Sequence, residues 1–453
     1  MFDQSFSPKN LRIISEIENR KGSNRSLEFF PTVSTATEVL KERIRETKQF
    51  RTDHRHAYSV DDQAIFDTLK ADREAARKSR DEELLNCLSN VSQVISQKGF
   101  RISIRQAEGP KGKSVYVIPD NPKESTAQCY YAIKQISRNI SRIYKVQQAN
   151  RNQIIGHLGD ALSDGFPYHV IKLDVQEFYE RIDHDLLLSK LKSDQLLSAT
   201  TMRLIERLLW DYASLAGTPG RGLPRGIGLS AILSELYMRE VDTNISSISE
   251  VAFYARYVDD IIVLFAPTKA SKTEVFRKYL VKELTAKRLT VNAEKSKEAP
   301  PEQSLTYLGY KFENVCKKSC EVFMSDQKHE KYERRLDACF IRYHRQRAKR
   351  PKKAYRLLVK RIQYLTANTQ LTHSKQNAFV GIYFSNPHLT NLDQLTQLDT
   401  LLAQQVAKLN HSPSLRAKLQ RCSFEDGYKQ QIFRRFHRDG EFAEITKAWR
   451  YGQ

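Results

Sequence analysis

The chain has little of what a secreted, disulfide-built or membrane-spanning protein needs. Six cysteines are spread over 453 residues, Cys87, Cys129, Cys316, Cys320, Cys339 and Cys422, and their scatter excludes a disulfide framework. Cys316 and Cys320, with His329 or Cys339 nearby, have a spacing that could hold zinc. No paired second half follows, so free thiols are the expected state. Long apolar runs are absent and mean hydropathy is −0.57, which excludes a membrane-spanning helix. The opening Met1-Phe-Asp-Gln lacks the basic and apolar regions of a secretory signal, so the cytoplasm is the expected location. No internal repeat is visible. Acidic residues are also short, 53 Asp and Glu against 74 Lys and Arg, for a net charge of +21. That imbalance argues for a polyanionic partner, because neutralising backbone phosphates releases counterions. The length allows roughly two to four subdomains with a substantial core.

What is present is a set of carboxylates in unusual places. Tyr254-Ala-Arg-Tyr-Val-Asp-Asp-Ile-Ile-Val-Leu-Phe265 sets Asp259 and Asp260 between two runs of strand-forming residues, which predicts a hairpin turning at Val258 and Asp259. Two adjacent Asp are costly inside a buried strand, and most such pairs are solvated turn residues. Upstream by 85 residues, the apolar strand Tyr168 to Leu173 ends at Asp174, and a helical pattern follows through Leu186, Leu187 and Leu191. Asp174 by itself reads equally well as a helix N-cap. Three carboxylates meeting at one point repel unless a cation lies between them, and an all-oxygen site selects Mg²⁺ or Mn²⁺. Such a site suits two-metal phosphoryl transfer.

Three further segments lie in a fixed order around this pair. Gly220-Arg-Gly-Leu-Pro-Arg-Gly-Ile-Gly228 is a Gly-rich loop running into an amphipathic helix through Met238, where Gly222, Gly226 and Gly228 are expected to let backbone approach a ligand. Leu289-Thr-Val-Asn-Ala-Glu-Lys-Ser-Lys297 and Leu305-Thr-Tyr-Leu-Gly-Tyr-Lys-Phe312 follow the hairpin. Each element alone is common, and together their order is hard to obtain by chance.

On these residues the chain resembles a reverse transcriptase over roughly residues 95 to 315. The Asp174 segment resembles that family's first catalytic motif, and Tyr257-Val-Asp-Asp260 its catalytic box. Gly-Leu-Pro-Arg-Gly resembles its template and nucleotide loop, Asn292 to Lys295 its Asn-x-x-Lys element, and Tyr307, Leu308 and Gly309 its primer grip. The resemblance implies that Asp174, Asp259 and Asp260 bind two Mg²⁺ ions, or Mn²⁺. It implies that Lys295 is the proton donor to pyrophosphate, and that Val175, Tyr179, Arg225 and Gly226 contact the nucleotide. Tyr179 would be the gate that rejects a ribose 2′-hydroxyl, its alternative being a core aromatic beside Phe178. The sequence departs from the family in having Arg225 where many members have Gln, and Ser230-Ala231 where many have Ser-Pro. That weakens the expectation of base-pair-dependent selection.

The flanks follow from pattern. Arg101-Ile-Ser-Ile-Arg105 and Ser114-Val-Tyr-Val-Ile118 alternate like strands joined by Glu108 to Lys113, a basic hairpin in which Lys111 and Lys113 would meet a triphosphate or simply face water. Thr37 to Phe50 and Asp61 to Gln97 read as charged helices that either pack and face solvent or grip a template. After the primer grip, Arg334, Arg335, Arg342, Arg345, Lys352 and Lys353 crowd two helices broken at Pro351, with Tyr332, Phe340, Tyr343 and Tyr355 interleaved. These suit a thumb that tracks phosphates and stacks unpaired bases. From Leu371 to Gln453 the chain reads as helical and basic, without a second catalytic constellation.

The expectation is therefore an α+β right-hand polymerase fold: fingers, a palm with an antiparallel sheet, and a helical thumb. Its parts are a helical N-terminal extension over 1–95, fingers and palm over 96–315, and a basic helical thumb and C-terminal region over 316–453. The expected partners are an RNA template, including a dedicated noncoding RNA, dNTPs, the DNA product, and a protein partner or second copy, with no membrane. Ala-Arg-Tyr-Val-Asp-Asp-Ile-Ile, Gly-Leu-Pro-Arg-Gly and Ser-Glu-Leu-Tyr are most similar to the bacterial defence-associated class, of the unknown-group and abortive-infection kind, which implies a role against phage. Open alternatives are a retron-like or group II intron-like enzyme with a structured RNA, untemplated or protein-primed synthesis, and a catalytically silent scaffold.

Overall fold

The computed structural model of the chain describes residues 2–54, 59–109, 112–266, 272–299, 304–315, 317, 320–371, 378–409, 412–436 and 440–450. Four helices open it: α1 (Pro8–Arg20), α2 (Arg25–Phe29), α3 (Pro31–Asp53) and α4 (Val60–Ser96). The hairpin β1 (Arg105–Glu108) and β2 (Ser114–Val117) precedes α5 (Lys123–Ile143) and α6 (Arg151–Leu162). Then come β3 (His169–Asp174), α7 (Phe178–Arg181), α8 (His184–Asp194), α9 (Ala199–Ala216) and α10 (Gly228–Ser246). The central hairpin is β4 (Val251–Tyr257) and β5 (Asp260–Phe265), followed by α11 (Lys272–Ala286) and β6 (Lys297–Ala299). Three short strands follow, β7 (Leu305–Tyr307), β8 (Tyr310–Glu313) and β9 (Glu321–Met324). The chain continues through α12 (Asp326–Arg347), α13 (Pro351–Thr366), β10 (Asn368–Leu371), β11 (Ala378–Gly381), α14 (Asp393–Ala407), α15 (Pro413–Leu419), α16 (Phe424–Lys429) and α17 (Glu441–Arg450).

Packing separates two units. The first comprises Met1–Gln148, Gln176–Val241 and Lys282–Thr290; the second comprises Ala149–Val175, Asp242–Val281 and Val291–Gln453. In the first unit the long helices start where local chemistry satisfies free amides. Ser7 caps α1 ahead of a Pro in its first turn, and Ser59 with Asp62 forms a capping box on α4. Leu11, Leu88 and Ile95 are fully buried, and Phe30 stacks on Tyr131 at 6.3 Å. Exposed faces carry pairs such as Arg43–Glu46 and Lys70–Asp67, the pattern of solvated, packing helices. The first strand of the small hairpin starts at Arg105 rather than Arg101. Ile102 and Ile104 are buried, and the Ser103 amide donates to Cys129 Sγ at 3.3 Å instead of to a strand partner.

The second unit holds an antiparallel four-stranded sheet in the order β4-β5-β3-β6 and a three-stranded sheet β7-β8-β9. Ile261 to Leu264 are fully buried, a continuous apolar run that suits a central strand covered on both faces. One hydrophobic core joins Val170, Ile262 and Leu264 of the sheet to Tyr307, Tyr310 and Phe312, and runs on to Phe340, Leu358 and Leu398 of the helices. Each such large side chain removed from water contributes roughly 1.5–3 kcal/mol. Pro351 does start a new helix, as expected. The hairpin β10–β11 interrupts what reads as helix, and Tyr332, Phe340 and Tyr343 are buried rather than available for stacking on bases. Their spacing with Leu336 and Cys339 is that of an inward stripe on α12. The described cysteines, Cys87, Cys129, Cys320, Cys339 and Cys422, are free thiols, and Cys316 lies outside the described residues.

Candidate active site

The carboxylates of the second unit are placed by strand register. Asp174 ends β3 and Asp260 begins β5, and their Cα atoms are partners in the ladder. Tyr257 pairs with Asp260 across the turn, so Val258 and Asp259 form a two-residue hairpin loop. Val258 has φ of 62°, a left-handed conformation that a β-branched side chain resists. The strain is held by Arg256, whose Nη1 donates to the Val258 carbonyl at 3.1 Å. Its Nε and Nη2 donate to the Asp242 carboxylate, each at 2.8 Å. The Asp259 carbonyl accepts from the Val175 amide at 3.1 Å, tying the turn to the residue after Asp174.

The expected Asn-x-x-Lys element reaches the same strand end. The Asp174 carbonyl accepts from the Asn292 amide at 2.7 Å, and the Asp174 amide donates to Ser296 Oγ at 3.2 Å. Lys295 Nζ then lies 3.5 Å from Asp174 Oδ2. From the neighbouring hairpin, Tyr307 Oη donates to the Asp260 carbonyl at 3.0 Å, and burial raises the phenol pKa strongly. Burial also pushes the Asp260 carboxyl up, Lys172 pulls against it, and the charges of Asp259 and Asp174 push it further. A bound cation would relieve that repulsion, and carboxylate oxygens are the donors that a hard divalent ion takes.

The side chains are not gathered into the three-carboxylate cage expected from the sequence. Among the described residues, no three His, Cys, Asp or Glu groups converge closely enough to hold a metal ion. Ammonium groups lie against these carboxylates instead, with Lys172 Nζ 3.8 Å from Asp260 Oδ1 and Lys295 on Asp174. Lys172 and Arg256 were not anticipated. Lys172 sits two positions before Asp174, hence on the same face of β3, and strand periodicity would have found it. Arg256 and Asp242 are 14 positions apart on a strand and a helix, and no local pattern links them.

The remaining site residues of the second unit are spread along it. Tyr307 is fully buried, and Leu308 and Gly309 form the β7–β8 turn with φ of 44° and 79°. Arg151, at the start of α6, donates to the Leu308 carbonyl at 3.0 Å. Arg334, Arg345 and Lys352 are exposed, while Arg335 lies over the Trp449 ring at 5.7 Å. Arg342 donates to the Lys447 carbonyl, and Lys353 pairs with Glu444.

In the first unit, Tyr179, Arg225 and Gly226 form their own cluster. Arg225, expected to contact the nucleotide, is held by its own neighbours. Its Nη2 bonds Glu180 Oε1 and Oε2 at 2.9 and 3.1 Å, and its guanidinium lies over the Tyr179 ring at 5.4 Å. The loop glycines serve the chain's own close approaches. A side chain at Gly222 would meet Tyr212 Cε1 at 2.7 Å, and one at Gly226 would meet the Tyr116 carbonyl at 2.8 Å; both have positive φ. Asp183, not Asp174, caps a helix, accepting from the Leu186 amide of α8 at 2.9 Å. Lys113 is exposed, and Lys111 lies outside the described residues.

Residues 125–312 match the family described as Reverse transcriptase (RNA-dependent DNA polymerase). No curated protein matches the chain in sequence. Among solved structures, telomerase from Candida albicans in complex with a fragment of telomeric RNA is 13% identical with a TM-score of 0.37, over 75% of this chain and 63% of that one. Apo telomerase from Candida tropicalis is 14% identical with a TM-score of 0.39, over 91% and 78% of the two chains. The chain thus spans less than two thirds of the first of these, and likeness at this level carries no functional inference. The described helices include none long and apolar enough to cross a membrane. The family match and the helix-rich, antiparallel architecture make this an α+β fold of the right-hand polymerase type, with residues 125–312 forming the part that matches a reverse transcriptase domain.

Proposed function

We propose that this chain extends a DNA strand from dNTPs on an RNA template, with Asp174, Asp259 and Asp260 as the metal-binding carboxylates and bacterial antiviral defence as its biological role. The observation that supports the chemistry best is the ladder register that makes Asp174 and Asp260 partners, with Asp259 at the adjoining turn. Two Mg²⁺ ions, when bound, supply activation of the 3′-hydroxyl and neutralisation of the leaving pyrophosphate. The chain's own part is to hold and orient. Arg256 fixes the turn, Tyr307 steadies the backbone of Asp260, and Lys295 offers an ammonium proton to the leaving group. Tyr179, held beneath Arg225, is the group that excludes a ribose 2′-hydroxyl. The defence role rests on the likeness of the motifs to the antiphage class.

The test is incorporation of labelled dNTPs by the purified chain with Mg²⁺ and copurified RNA, beside an Asp259→Ala, Asp260→Ala double variant. Incorporation should disappear in the variant, a loss of at least about 10³-fold; synthesis that survives it removes these residues from catalysis. RNase pretreatment should abolish product, and product that persists makes the synthesis untemplated. For the gate, Tyr179→Gly should raise rNTP use relative to dNTP use by about tenfold or more, and unchanged discrimination excludes Tyr179 from that role. Plaque counts on cells carrying wild type or the double variant test the defence reading, which fails if the two protect equally.

A further inference from the structure

Helices α12, α13 and α17 of the second unit border a cavity of about 390 Å³. Arg342, Arg345, Lys349, Arg350, Lys353 and Arg361 line it, with Glu444 as the acid among its described lining residues. The sequence places several of these cations on thumb helices as a track for a duplex, whereas the fold turns them toward one small concavity. Arg361 is the most telling. It is 1% exposed, and its Nη1 is buried without a hydrogen-bond partner. Its Nε and Nη2 reach only the backbone carbonyls of Ile445 and Glu444, at 3.4 and 3.3 Å. A buried guanidinium satisfied only by long bonds to carbonyls is a donor set waiting for an anion. One acid of α17 already behaves as an anionic stand-in in the lining: Glu444 pairs with Lys353 at 2.5 Å.

The charge density selects among phosphate ligands. A space of this size accommodates about one phosphate step of an extended strand, whose rise is about 3.4 Å per nucleotide. A phosphodiester there brings one negative charge, too few for the seven cations of the lining, Lys447 included, whereas a terminal polyphosphate brings several on oxygens that match guanidinium forks. We propose that this cavity is a receptor for a compact polyphosphate, the group carried by a free nucleoside triphosphate or by the 5′-triphosphate end of an RNA. The site is separate from the carboxylates and independent of the polymerase reading.

Calorimetric titration of the full chain with sodium tripolyphosphate tests it, together with anisotropy of two RNAs of one sequence, one 5′-triphosphorylated and one 5′-hydroxyl. Tripolyphosphate should bind wild type. The double variant Arg345→Ala, Arg350→Ala, at exposed positions that do not endanger folding, should bind it about tenfold more weakly. Glu444→Gln, which removes the competing carboxylate, should bind it a fewfold more tightly. A triphosphorylated RNA that outcompetes both tripolyphosphate and the 5′-hydroxyl RNA identifies an RNA end as the source. Equal competition by free tripolyphosphate identifies a free nucleotide. The proposal is overturned if tripolyphosphate does not bind, if the double variant binds it as tightly as wild type, or if the variant weakens both RNAs equally, the behaviour of a surface that tracks phosphodiesters.

Discussion

The Val258–Asp259 turn and the Leu308–Gly309 turn share a plan. Each joins antiparallel strands through two residues, the first with positive φ, and in each a guanidinium donates to that residue's carbonyl. They differ in what balances the guanidinium. Arg256 is 6% exposed and bonded to the Asp242 carboxylate, so its charge is neutralised where it works. Arg151 instead lies over the face of Tyr310 at 5.0 Å, and Lys328 shares that ring at 4.9 Å. Burial, with the positive charges of Arg151 and Lys331, pushes the Lys328 ammonium down to about 7. One turn is locked by a closed ion pair, and the other sets Arg151 and Lys328 against one tyrosine ring. The same backbone device thus supports geometry in one place and electrostatic potential in the other.

If that contrast is right, the largest effect comes from opening the closed pair. Arg256→Ala leaves the Asp242 carboxylate without its guanidinium, with the Tyr254 hydroxyl still donating to it, and releases a strained Val258. Turnover is expected to fall on the order of 100-fold, with a loss of roughly 3 kcal/mol of stability. Arg256→Lys should recover stability better than turnover, since the charge is kept and the fork is lost. Denaturant melts and steady-state kinetics check both, and an Arg256→Ala enzyme with normal turnover ends the positioning argument.

At the other turn, Arg151→Gln should weaken primer–template binding about fivefold to tenfold and lower the slope of log affinity against log salt by about one. A salt slope unchanged from wild type would mean that Arg151 serves the turn alone.

The smallest effect is in pH. Folding lowers the Lys328 pKa from the usual 10.5 to about 7. The unfolded chain therefore binds more protons across that interval, and this side chain's unfavourable contribution, full below about pH 7, is relieved as pH rises toward about 10. Lys328→Met should accordingly raise Tm more at about pH 7 than at about pH 9. An increment that does not shrink with pH would place the Lys328 charge in a better-solvated setting.

What the sequence disclosed follows from how locally each feature is encoded. The carboxylate hairpin was legible because Asp259 and Asp260 interrupt strand-forming runs, and Asp174 because it ends one. The register pairing of Asp174 with Asp260 was not, since nothing in either segment specifies which rung meets which. The Arg256–Asp242 pair was hidden for a similar reason, its members lying on different elements. Tyr332, Phe340 and Tyr343 were misread although their helical spacing was visible. Charge around them suggested nucleic acid, while the period of α12 places them in the core. The loop glycines misled differently: positive φ was foreseeable, but the close neighbours proved to be Tyr212 and Tyr116 of the same chain.

The tether between β3 and the Asn292 segment has a mechanical consequence. Asp174 is bonded through both its carbonyl and its amide to a span that carries Lys295, so the two side chains ride on one short ring of backbone. When the end of the sheet vibrates, acid and amine are displaced in step. Their separation is therefore set by the local linkage rather than by stiffness of the whole, so the ammonium keeps its place relative to the carboxylate.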